Sequence, residues 1–218
     1  SGEKIPTLTI RTHVTTGLFI TFEGIDGAGK STQLDYAVNY LRSKEKKVIQ
    51  TREPGGTPIS EKVRNMILET NSPLDSETEV LLMFAARKEH IARVIRPALD
   101  SGSIVVCDRF TDATFAYQGG GSGVSSSRIE TVEAWVQGDF QPDLTLFFDL
   151  PIKIAQRRMG QRKKDRFESE ALDFHERVRH AYLERAKKSP ERIKVIDSSQ
   201  KKGQIRELVQ AELDRICT

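Results

Sequence analysis

Cysteine is scarce: Cys107 and Cys217 are the only two in 218 residues, too few for a disulfide framework, and no CxxC or Cys/His spacing offers a zinc site. A reducing compartment fits that composition, so the protein is expected to be cytoplasmic. Long apolar runs are missing as well. The longest, such as LTLFFDL at 144–150, fall far short of the roughly 20 residues a membrane span requires, and the N-terminus carries no signal-peptide core, which argues against a membrane partner. Charge of one sign is also in short supply. The formal net charge is +3, and the single stretch QRRMGQRKKDRFE at 156–168 contributes +4 of it, leaving the remainder slightly acidic. A nucleic-acid binder normally spreads its basic residues over a face, so no nucleic-acid partner is expected, and the stretch stays open to two other readings: a solvated face or part of a catalytic site.

The chain does contain alternation. Short β-rich runs, LFITFE (18–23), KVIQT (47–51), SIVVCD (103–108), DLTLFFDL (143–150) and RIKVID (192–197), are separated by longer segments of helical period. That pattern predicts an α/β fold with a five-stranded parallel sheet flanked by helices in three layers, and the continuous apolar character of IVV and LTLFF predicts strands covered on both faces. Helices are expected over 31–44, 59–69, 77–99, 127–140 and 173–188. Residues 1–16 are polar and unpatterned and read as a disordered or tag-derived leader; 17–218 read as one domain. GGGSGVSSS (119–127) and the basic stretch read as mobile loops between elements.

Directly after the first run comes GIDGAGKS, Gly24 to Ser31, a full G-x-x-x-x-G-K-[ST] match between a strand and a helix. Each part has a physical task. Gly24, Ile25, Asp26, Gly27, Ala28 and Gly29 shape a loop whose N–H groups cradle phosphate, Lys30 reaches the β- and γ-phosphates, Ser31 offers its hydroxyl to magnesium, and Thr32 continues the first helical turn. The motif predicts a P-loop NTPase fold and Mg2+ with ATP. No NKxD-like base reader marks a GTPase, and no apolar run ending in Asp-Glu marks a motor ATPase. A small P-loop kinase acting on a small acceptor remains.

The acceptor side carries a resemblance. TREPGGT (51–57), LLMFAARKEHI (81–91), DRFTDATFAYQGGG (108–121) and PDLTLFFDL (142–150), in that order behind the P-loop, closely resemble the bacterial thymidylate kinases from about Gly17 onward. The resemblance implies dTMP and ATP as substrates and a homodimer, with the apolar helices near 81–95 and 129–136 as interface or core. It also implies acceptor-site roles for Asp26 at the sugar 3′-hydroxyl, for Arg52, Glu53 and Pro54 around the acceptor phosphate and its magnesium, and for Arg87 at the thymine edge. Met83 stands where an aromatic ring usually stacks on thymine, and the neighbouring Phe84 is expected to take that part. Asp108 is implied as a second metal contact, Arg109 as a phosphate binder, Thr114 and Gln118 as neighbours of the base, and Tyr117 as the ring that crowds a ribose 2′-hydroxyl.

A monophosphate oxygen is already anionic, so its attack on a γ-phosphorus needs positioning and charge neutralisation more than a base. No histidine stands in an obvious catalytic context; His90, three residues after Arg87, reads as a half-exposed helical residue. A kinase acting on a nucleoside without a phosphate would need a carboxylate base, with Glu23 or Glu53 as the candidates. The loop 24–29 contains no arginine, so the transition-state cation must come from elsewhere. The resemblance makes 156–168 a short helical lid of the R-x-x-x-R-G-x-x-D-R-x-E type. Anchored on Asp165, Arg166 and Glu168, the chain has Arg157 in place, Gln161 where the second arginine is expected, and Arg162 one position on. Lys30, Arg109, Arg157 and Arg162 are therefore the expected catalytic residues, Arg158 and Lys163 solvated neighbours, and Arg166 a partner of Glu168 or of the phosphates.

Overall fold

All five β-rich runs form strands: β1 (Phe19–Glu23), β2 (Val48–Arg52), β3 (Ile104–Asp108), β4 (Leu144–Asp149) and β5 (Ile193–Asp197). The computed structural model describes residues 17–69, 74–160 and 165–217. The expected leader, 1–16, lies outside the described residues. Every strand pair is parallel, in the order β2-β3-β1-β4-β5. Parallel neighbours require crossovers, which the helices provide. They are α1 (Lys30–Ser43), α2 (Pro58–Leu68), α3 (Ser76–His90), α4 (Arg96–Asp100), α5 (Thr111–Thr114), α6 (Ser126–Gln137), α7 (Ile152–Met159), α8 (Leu172–Lys188) and α9 (Lys202–Cys217).

Alternation along β1 builds the three layers. Ile20 and Phe22 point into a cluster with Leu34 and Val38 of α1, Val178 and Tyr182 of α8, and Val209 and Leu213 of α9. Phe19 faces the other way, onto Ile91, Ile95 and Leu99. Each such side chain, fully buried, stabilises the fold by roughly 1.5–3 kcal/mol, so the central strand is held from both sides. The C-terminal helix α9 was not among the expected elements, although Ile205, Val209 and Leu213 recur at helical spacing and are all buried.

Two helices contain π-helical turns. Between α3 and α4, residues Ile91–Ile95 widen, and the Arg96 N–H bonds the Ile91 carbonyl five residues back. Pro97 follows, with no N–H to donate and a ring that would strike the carbonyl four residues earlier, and the widened turn accommodates it. The second π segment, Phe115–Gly121, corrects the reading of the glycine run as a mobile loop. A Cβ on Gly120 would sit 2.6 Å from the Ala181 Cβ, and one on Gly121 2.5 Å from the Phe174 ring, so these glycines let α8 press against the segment.

Candidate active site

The C-terminal ends of β1, β2, β3 and β4 place Glu23, Arg52, Asp108 and Asp149 along one edge of the sheet, the usual ligand edge of an open α/β sheet. The loop 24–29 leaves this edge and enters α1 through Gly29, which has φ 82° and no side chain capping the first helical turn. Those first N–H groups and the positive end of the helix dipole suit a phosphate. Lys30 is buried beneath them, its Nζ 2.9 Å from Asp108 Oδ1. Gly27 admits a further neighbour: a Cβ there would lie 2.6 Å from the Ala155 carbonyl of α7, so the absence of a side chain lets this helix lean on the loop.

Beside the loop lies a cavity. Its lining includes Asp26, Glu53, Pro54, Arg87, Arg109, Thr114, Tyr117 and Gln118, and so gathers most of the expected acceptor residues. It also includes Met83, at the position where the family stacks a ring, and Arg64, Leu68, Phe110, Ala113, Asp165 and Phe167, which were not expected there. Arg64 is anchored by donating from Nη1 to the Pro54 carbonyl at 3.1 Å. Nothing in the local sequence of α2 distinguishes Arg64 from its neighbour Lys62.

Arg87 is the most constrained group here, 2% exposed. Its Nε donates to Glu53 Oε2 at 2.7 Å and its Nη2 to Thr114 Oγ1 at 3.1 Å. The guanidinium lies 4.7 Å from the Phe84 ring centre and 5.0 Å from that of Phe110. Nη1 is buried without a protein partner at the cavity wall. Phe84 does not line the cavity. It sits in a helical cluster with Val80, Phe115 and Ile129, contrary to the expectation that it lies open to an acceptor, whereas Met83 lines the cavity. His90 is buried rather than half-exposed, bridging Glu53 Oε1 at 2.9 Å and Thr51 Oγ1 at 2.7 Å.

Arg109 adopts φ 67°, a left-handed backbone that costs a non-glycine residue of order 1–3 kcal/mol. The neighbouring N–H groups explain how it is held: Arg109 donates to the Phe22 carbonyl at 3.0 Å and Phe110 to Glu23 Oε1 at 2.6 Å. The side chain then donates from Nη2 to Asp26 Oδ1 at 3.0 Å, lies 4.8 Å over the Tyr117 ring, and keeps Nη1 buried without a partner. Arg52 does not line the first cavity: it is exposed, pairs with Glu61 at 2.8 Å, and borders a second cavity with Ser31, Gly56 and Asp108.

Neither carboxylate considered as a base is free to serve as one. Glu53 is engaged by Arg87 and His90. Glu23 is fully buried and accepts from Tyr182 Oη at 2.7 Å as well as from Phe110, and burial, with the nearby Asp112 charge, pushes its carboxyl up to about 8. On the lid side, Arg157 and Arg158 are exposed on α7, and Arg158 donates to the Ser198 carbonyl at 3.0 Å. Arg162, like Gln161, Lys163 and Lys164, lies outside the described residues. Arg166 forms its ion pair with Glu79 of α3, which differs from both expected partners.

A family model for thymidylate kinase matches residues 22–209. The chain belongs to the thymidylate kinase family. It is 52% identical over 201 residues to a thymidylate kinase of Nitrosospira multiformis, covering 92% of this chain and 98% of that relative. With a thymidylate kinase of Cupriavidus necator it shares 54% over 203 residues, covering 92% and 97%. A crystal structure of thymidylate kinase from Ehrlichia chaffeensis superposes with a TM-score of 0.72 at 36% identity, covering 93% of this chain and 99% of that one.

For a kinase of this family the oxygen donors around the second cavity suit magnesium, a hard cation that favours hydroxyl, carboxylate and phosphate oxygens. Ser31 stands at the start of α1, and Asp108 Oδ1 is buried without a hydrogen bond of good geometry among the described residues, and is ion-paired to Lys30. Among the described residues no helix is long and apolar enough to cross a membrane.

Proposed function

We propose that the protein transfers the γ-phosphoryl group of ATP to dTMP, giving dTDP on the way to dTTP, with lid arginine meeting the transition-state charge. The observation that carries this reading is Arg87: a buried guanidinium held through Nε and Nη2, with Nη1 left without a partner in the fold, on a residue that lines the cavity. An oriented donor there suits a pyrimidine carbonyl. Gln118 and Thr114 stand beside it, and Asp26, Arg109 and Arg64 lie around the rest of the cavity, where a sugar and a phosphate would fit.

The acceptor phosphate oxygen attacks the γ-phosphorus, the bond to the β–γ bridging oxygen breaks, and ADP leaves with that electron pair. The protein contributes position and charge. Arg109 Nη1 is prepared for the acceptor phosphate by Asp26 and Tyr117. Lys30 and the first N–H groups of α1 receive the donor phosphates. Magnesium, held by Ser31 and Asp108, would neutralise charge between the phosphates. An arginine delivered to the γ-phosphate in related chemistry is worth roughly 10³ to 10⁵ in rate, and Arg157 and Arg162 are the lid residues proposed for it. Tyr117, edge-on to Phe167 at 5.6 Å in the cavity, is proposed to crowd a ribose 2′-hydroxyl. Trp135, 84% exposed on α6, and Leu81, 57% exposed on the adjoining α3, support a homodimer through these helices.

The test is an ADP-release assay with Mg-ATP and dTMP, dUMP, UMP, AMP or thymidine as acceptor. dTMP is expected to give the highest kcat/KM. Equal or faster turnover of another monophosphate, or of thymidine, would overturn the substrate assignment.

A further inference from the structure

Glu79 lies on the inner face of α3, completely buried, and takes no part in the reaction as described above. A carboxylate removed from water needs partners, and it has two. Gln118 donates from Nε2 to Glu79 Oε2 at 3.2 Å. From the other side comes the guanidinium of Arg166, largely buried, which pairs with Glu79 Oε1. Arg166 belongs to a short turn closed by reciprocal bonds, Asp165 N–H to Glu168 Oε2 at 3.1 Å and Glu168 N–H to Asp165 Oδ1 at 2.9 Å. Asp165 and Phe167 of that turn line the acceptor cavity, but Glu79 does not.

The chemistry of the carboxylate has a consequence for the cavity wall. A carboxylate only accepts, so the group of Gln118 that faces Glu79 is its NH₂, and its carbonyl oxygen is left for the cavity. Arg87 Nη1 can only donate. Both residues line the cavity, so between them they supply one donor and one acceptor, the pair that complements the O4 carbonyl and N3–H of a keto pyrimidine. Cytosine presents the reverse, an amino donor and an unprotonated ring nitrogen, and would set donor against donor and acceptor against acceptor. With the opposite amide orientation Gln118 would lose that preference.

We propose that Glu79 is a positioning residue for pyrimidine selection: it fixes the amide of Gln118 with the carbonyl toward the base, and through Arg166 ties that orientation to the seating of the 165–168 turn. The inference rests on the reading of the cavity as a dTMP site. It is tested by kcat/KM for dTMP and for dCMP in the wild type, Glu79→Gln, Gln118→Ala, the double variant and Arg166→Met. Glu79→Gln frees the amide to turn over, and the dTMP-to-dCMP ratio is expected to fall about tenfold or more, the scale of one lost hydrogen-bond discrimination. Added to Gln118→Ala it is expected to lower the ratio no further, because it acts through that residue. Arg166→Met is expected to lower the ratio and raise the KM for dTMP. A wild-type ratio in Glu79→Gln, or an effect that adds in full to that of Gln118→Ala, would overturn the proposal. If Glu79→Gln does not fold, an unchanged ratio in Arg166→Met overturns it instead. A wild type that does not prefer dTMP over dCMP refutes the dTMP reading itself, which separates the two failures.

Discussion

Replacing Arg87 by lysine keeps a positive charge and most of the side-chain length, and removes the fork. In the structure one guanidinium serves three directions at once: Nε to Glu53 at 2.7 Å, Nη2 to Thr114 at 3.1 Å, and Nη1 to the cavity. It is also flat enough to lie between the rings of Phe84 and Phe110. A lysine ammonium is a point charge, and Glu53, buried and otherwise held only by His90, will keep it. The base then loses a charged donor worth about 1.5–3 kcal/mol, which corresponds to a fall of roughly 10- to 150-fold in kcat/KM for dTMP. Initial rates at saturating Mg-ATP, with the KM for Mg-ATP at saturating dTMP and a denaturant titration alongside, separate base binding from global damage. The KM for Mg-ATP is expected to stay within about twofold, since Arg87 bonds to Glu53 and Thr114, which lie outside the phosphate loop. A folded Arg87→Lys protein with wild-type kcat/KM for dTMP would refute the assignment of Nη1 to the base.

Glu23 gives a pH signature. Its carboxyl is raised from 4.5 to about 8 by burial and by Asp112, so between these values the folded protein binds a proton the unfolded chain does not; its share of stability is whole below 4.5 and is lost as pH rises through 8. Glu23→Gln, which mimics the protonated form, should gain on the wild type by up to about 1.4 kcal/mol per pH unit across that window in urea unfolding, and parallel pH profiles would refute this. In the lid, Arg162→Ala is expected to lower kcat far more than it raises the KM for dTMP, whereas an unchanged kcat would assign the stretch to a solvated face. Trp135→Glu is expected to convert a dimer to monomer in sedimentation velocity, and a wild type that sediments as a monomer at micromolar concentration would remove the interface.

The sheet was legible because strand formation here is local and doubly reinforced: each run is apolar enough to be covered on both faces, and each is followed by a segment of helical period. The P-loop was legible for a related reason, since glycine, lysine and serine at fixed offsets serve one backbone turn. The glycine run at 119–121 was misread because its cause is distant. Glycine signals freedom when considered alone, but Gly120 and Gly121 are small because Ala181 and Phe174, more than fifty residues away in the chain, approach them closely. Glu79 escaped notice for the same kind of reason. Nothing in SETEV distinguishes a solvated helical glutamate from one enclosed by Gln118 and Arg166.

Phe84 shows how a correct residue can be given the wrong task. An aromatic side chain beside a base-reading arginine invites the idea that the ring stacks on the base, and residue 84 was the available ring. On a helix, however, positions three apart lie over one another, so Phe84 falls beneath Arg87, and the structure places the guanidinium 4.7 Å above its ring. Phe110, arriving from the end of β3, meets the same guanidinium from elsewhere in the fold at 5.0 Å. The two rings hold the arginine, and the cavity is lined by Met83 and Leu68 rather than by Phe84. A thioether there adapts its shape to a methyl group with little cost, whereas a stacked ring would impose one plane. If the cavity takes dTMP as proposed, selection for thymine falls to the hydrogen-bonding edge of Arg87 and Gln118, with the face of the base left to a deformable contact.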